Sequence, residues 1–124
     1  MRAVESLSLV LVATLLGCMP GTPPTIAKAP TPSNPLEIVI YNYTYAPDTL
    51  TVNVGSTVTW INKDLAPHTV THRSYGKDPF DSGNLMYDKL YTHTFRRPGQ
   101  YDYICALHQG MQATVVVKDT ATTH

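Results

Sequence analysis

From Leu36 to Lys118 the chain runs as short stretches of alternating apolar and polar residues, each stopped by a turn signal. A strand of that kind has one apolar face. About seven or eight such strands bury those faces by closing two sheets on each other, as a β-sandwich. The spacing predicts strands at Leu36–Ile40, Leu50–Val54, Thr57–Ile61, Thr69–Thr71, Leu90–Phe95, Tyr101–Cys105 and Met111–Lys118. Gly55-Ser56 and Arg97-Pro98-Gly99-Gln100 are turn signals. Thr57–Ile61 is expected to return from the first of these turns with Val58 and Trp60 on one face. No segment carries a helical period, and the fold class expected is all-β. Arg73 to Lys89 reads as a polar crossing loop.

The first third has a different texture. Arg2 precedes an apolar run, Leu7 to Leu16, too short for the roughly 20 residues that span a bilayer. A charged start and a short apolar core read as a secretory signal over residues 1–17. Its end, Leu15-Leu16-Gly17-Cys18, resembles a bacterial lipoprotein signal, which implies a lipid on Cys18 and a membrane anchor. Pro20, Pro23, Pro24, Pro30, Pro32 and Pro35 follow. Residues 18–35 are therefore expected to form a semi-stiff tether of about 3.1 Å per residue. The domain is placed at 36–118, and 119–124 is read as a disordered tail.

Lys plus Arg number 9 and Asp plus Glu number 9, so the chain is formally neutral. Loss of residues 1–17 removes Arg2 and Glu5 and keeps that balance. There is no basic excess to recruit nucleic acid. No Ser/His/Asp order, phosphate loop or carboxylate pair points to hydrolysis.

The chemistry lies in His68, Cys105, His108 and Met111, the last three spaced C-x2-H-x2-M. Cys105 is read as ending one strand and Met111 as starting the next, so the connection folds its donors to one point. Pro67 restricts the approach to His68. A disulfide from Cys18 to Cys105 is the alternative, but each cysteine already has a place in a motif. One thiolate, two imidazoles and one thioether select a metal. Structural zinc rarely takes Met. Copper accepts this set in both oxidation states, the sulfurs suiting Cu(I) and the imidazoles Cu(II). Four protein donors leave no open position for a substrate, so no enzyme and no small-molecule substrate are expected. His72 and His93 read as solvent-facing and Met86 as packing.

Val54–Trp60, Ala66-Pro67-His68-Thr69-Val70 and Tyr101–Met111 resemble the cupredoxin family, nearest its amicyanin and plastocyanin branch. The resemblance implies a Greek-key sandwich with one type 1 copper per chain. It assigns His68, Cys105 and His108 as equatorial ligands and Met111 as the axial one. It implies single-electron transfer between redox protein partners at the bacterial cell envelope, through His108 inside a collar of Leu107 and Leu65. Storage or delivery of copper is the alternative. A multicopper oxidase would need His-x-His pairs, which the chain lacks. Thr69 stands where the family often has Asn, and Ala106 where it often has Thr or Ser. The Thr69 amide is expected to reach the Cys105 sulfur, with its side chain holding the ligand loop less firmly.

Overall fold

The computed structural model describes residues 17, 20, 21, 28–74, 76 and 78–120. The signal, Cys18, part of the tether and the last residues of the tail lie outside the described residues. Eight strands form: β1 Glu37–Tyr41, β2 Thr44–Ala46, β3 Thr49–Asn53, β4 Thr57–Asn62, β5 Thr71–His72, β6 Leu90–Thr94, β7 Gly99–Ile104 and β8 Gln112–Lys118. They make two four-stranded sheets, ordered β2-β1-β4-β6 and β3-β8-β7-β5. The expected β-sandwich is what forms. Among the described residues no helix is long and apolar enough to cross a membrane.

Alternation builds the core. In β4, Val58 and Trp60 point inward and are fully buried; in β8, Ala113, Val115 and Val117 point inward and are buried. Trp60 is the hub, its ring 5.6 Å from Tyr103 and 6.1 Å from Phe80. Burying about 200 Å² of such a ring, at about 25 cal/mol per Å², contributes roughly 5 kcal/mol before entropy is charged.

Two expectations change. Thr57 does not return alongside the strand before it. β3 pairs with β8 and β4 with β1 and β6, so Gly55-Ser56 crosses between sheets. The crossing is tied by Gly55 N–H to Phe95 O at 2.7 Å, with Gly55 at a φ of 88° that a side chain rarely adopts. The crossing puts Val52 of β3 in one sheet and Val58 and Trp60 of β4 in the other, so both sheets contribute to one core. The segment after Arg73 is also more than a polar loop. Phe80 and Leu85 are buried, and the chain from Phe80 to Leu85 runs back along residues 68–72 through His68↔Leu85 and Thr71↔Asp81 bridges.

Strand directions gather the loops at one end. β1 and β4 are parallel, so the turn after Tyr41 and the loop after Asn62 leave the same end. Thr71 pairs with Ile104, which brings the segment before β5 to the end where β7 stops and the β7–β8 loop begins.

Candidate metal centre

Loop 63–67 is shaped by Asn62, a fully buried amide. Its Nδ2 donates to Ala66 O at 2.9 Å and to Leu85 O at 2.8 Å, and its Oδ1 accepts the Asp64 amide at 2.8 Å. That leaves the loop one way to deliver His68, which is itself fully buried. His68 Nε2 lies 2.8 Å from Asp64 Oδ2. The hydrogen bond fixes the ring and leaves Nδ1 facing the β7–β8 loop. The Asp64 carboxylate also accepts the amides of Asn42 at 2.6 Å and Tyr43 at 2.8 Å. Its burial opposes ionisation, but the two amides and His68 outweigh that and hold it below the ordinary carboxylate range.

Cys105 follows β7 directly, and its amide donates to Met111 O at 3.0 Å, pinching the loop shut. Gly110 makes the return at a φ of 83°. His68 Nδ1 and His108 Nδ1 then stand 3.7 and 3.4 Å from Cys105 Sγ. All three donor atoms lie within 4.8 Å of one another. Ligands about 2.0–2.3 Å from a shared ion, spread at trigonal to tetrahedral angles, stand roughly 3.3–3.8 Å apart. The two separations to the sulfur fall in that range, and with the whole set inside 4.8 Å the three donors can share one ion after a small inward shift of the imidazoles. Met111 is buried beside them and lines the same surface recess as Cys105, Leu107 and His108. Cys105 is a free thiol among the described residues.

Thr69 does more than expected. Its amide donates to Cys105 Sγ at 3.4 Å, as the sequence suggested. Its hydroxyl oxygen accepts the Ala106 amide at 2.7 Å, so the side chain fastens the ligand loop rather than slackening it. Thr69 O is held in turn by the Tyr45 hydroxyl at 2.5 Å.

The other candidates lie elsewhere. His72 and His93 are not solvent-facing: their rings pack on Phe80 at 4.9 and 4.8 Å, because the gap between edge strands β5 and β6 needs filling. Met86 does not pack; it is half exposed, its place in the interior taken by Leu85. Leu65 and Leu107 are exposed near the centre. The aromatic residue against the imidazoles is Tyr43, 5.3 Å from His68 and 4.8 Å from His108, ring to ring. Sequence reading missed Tyr43, Asn62 and Asp64. The available signal was Asp64 four residues before His68, and an Asn42-Tyr43 pair between two β-prone runs.

Residues 36–118 match the copper-binding proteins of the plastocyanin/azurin family. The chain is 32% identical over 95 residues to amicyanin from Paracoccus versutus, covering 75% of this chain and 72% of that one. Among solved structures it is similar to a single-substitution variant of amicyanin in its oxidized state, with a TM-score of 0.63 and 34% identity over 67% of this chain and 81% of that one. It is also similar to a purple cupredoxin from Nitrosopumilus maritimus, with a TM-score of 0.61 and 33% identity over 66% and 98% of the two chains.

Proposed function

This chain belongs to the plastocyanin/azurin family of copper-binding proteins, and on that premise we propose that His68, Cys105 and His108 hold its copper as equatorial ligands, with Met111 as the axial ligand. The protein is a type 1 copper electron carrier with one copper per chain. The observation that carries the ligand assignment is the pair of imidazole Nδ1 atoms at 3.7 and 3.4 Å from Cys105 Sγ. Bound there, copper supplies a reversible one-electron couple.

The residues around it limit rearrangement. Asp64 fixes the His68 ring, the Thr69 amide donates to the sulfur, and the Thr69 hydroxyl holds the loop at Ala106. A site that changes shape little between two charge states has a low barrier to electron transfer. His108 is half-buried, unlike His68, and it is the ligand through which electrons pass to redox protein partners. With all donors supplied by the protein, the chain acts as a carrier and not as an enzyme. The signal-like start and the Cys18 motif support export to the bacterial envelope, with the domain at 36–118 tethered to the membrane by a lipid on Cys18.

Purified whole chain loaded with Cu(II) develops an intense visible sulfur-to-copper band, and Cys105→Ser abolishes it. One-electron titration cycles the band with copper retained. Transfer of the copper to a metal-free acceptor during that cycle would instead favour delivery of the metal. His108→Gly slows electron exchange at equal copper occupancy. Cys18→Ser releases the expressed protein from the membrane fraction.

A further inference from the structure

We propose that Tyr43 is a positioning residue of the copper centre, a lid whose ring bears on both imidazoles and slows loss of the ion they hold. The proposal rests on the copper reading above. Tyr41 pairs with Thr44, so Asn42 and Tyr43 are the two residues of a tight hairpin turn, with φ of 51° and 59°. Turns with both central residues left-handed favour Asn followed by Gly. Asn42 fits that pattern. A bulky aromatic at the second position is an outlier, and strain of that kind marks a place where something else is being served.

Core burial does not explain the residue, because Tyr43 is 52% exposed. Its contacts do. The ring stands edge-to-face on His68 at 5.3 Å and 86°, and on His108 at 4.8 Å and 89°. The two imidazoles are themselves 4.7 Å apart. Rotation of either ring therefore displaces the phenol. Tyr43 and Met111 also line one recess, so the lid borders the thioether side as well. The strained turn is held by Asp64, which accepts the amides of Asn42 and Tyr43 and also bonds His68 Nε2. One carboxylate sets the lid and a ligand together, which keeps them in register.

The test separates lid from scaffold. Tyr43→Gly removes the ring and relieves the left-handed strain; Tyr43→Phe keeps the ring. Tyr43→Asn removes the ring and also tolerates the turn. Each whole chain is loaded with copper, and loss of the visible band to excess EDTA is followed over time. Contacts of this size change equilibria by several-fold each. The Gly and Asn variants are expected to lose copper about tenfold faster, with a shifted visible spectrum. The Phe variant should stay within about twofold of native, and metal-free unfolding midpoints should hold steady or rise for Gly. Native-like retention in the Gly and Asn variants would overturn the lid. So would a fall in the metal-free midpoint of both, which would make Tyr43 a structural residue. Absence of the visible band in the native chain would instead sink the copper reading on which the lid depends.

Discussion

Thr69 and Ala106 join the two loops of the metal centre, the hydroxyl of one accepting the amide of the other at 2.7 Å across 37 positions. The same threonine sends its own amide to the Cys105 sulfur at 3.4 Å. The side chain and the backbone of one residue therefore do separable jobs.

Thr69→Val keeps the shape and the amide but loses the acceptor. The hydroxyl also bonds Thr71 Oγ1 at 2.9 Å, so two hydrogen bonds are lost, at about 1 kcal/mol each. The denaturant midpoint should fall accordingly, while the sulfur-to-copper band survives because the amide is untouched. Thr69→Ser keeps the hydroxyl and should recover part of the loss, the remainder being the buried methyl at about 0.8 kcal/mol. Loss of the band in Thr69→Val would mean the two jobs are not separable.

Asn62→Ala acts from further away. It strips the Ala66 carbonyl and the Asp64 amide of their partner and leaves the Leu85 carbonyl with the His68 amide alone. Each buried group left unmatched costs about 1–3 kcal/mol, with water entering to offset part of it. A loss of about 3 kcal/mol in the metal-free chain is expected from chemical denaturation, with weaker copper binding through a mobile His68.

These tying residues show where sequence reading stops. Alternation is local, so β4 and β8 were legible from Val58-Thr59-Trp60 and Val115-Val116-Val117 alone. The donor set was legible because soft and intermediate ligands at C-x2-H-x2-M are chemically selective. Pairing is not local: Gly55-Ser56 reads as a hairpin turn, and only the opposite sheet decides that it crosses. β2 is three residues long and carries too little period to register. Asn62 looks like any strand-end amide, since its three partners are set by the path of the loops. His72 and His93 sit among polar neighbours in sequence but beside Phe80 in space.

Asp64→Asn tests the link between the loop and His68. The amide side chain keeps an acceptor for the Asn42 or Tyr43 N–H but loses the charge that aligns the imidazole. Partners of metal-bound histidines typically contribute 10- to 100-fold in affinity. Competition titration should show Cu(II) affinity lowered by about that factor. An unchanged affinity would assign the 2.8 Å contact to the turn alone.

The edge between β5 and β6 should make the metal-free chain acid-sensitive. His72 stacks on Phe80 with planes only 9° apart, and His93 packs on the same ring. The charged groups facing them are Asp78, Asp102 and Arg96, with Asp78 Oδ1 3.7 Å from His93 Nε2. Burial outweighs the carboxylates and pushes both imidazoles below the ordinary 6.5. The unfolded chain then binds protons that the folded chain refuses. Stability from the pair is complete above 6.5, falls as pH drops through that value, and levels off below the folded-state pKa values. The slope is at most about 1.4 kcal/mol per pH unit for each imidazole. Asp64 and Asp102 are held low, so their own contribution is lost only in the carboxylate range, at more acid pH. Urea midpoints between about pH 7.5 and pH 5 should therefore decline in the native chain and decline less in His93→Leu. Equal slopes in the two would show that His93 takes up its proton as readily folded as unfolded, and that the packing on Phe80 does not oppose it.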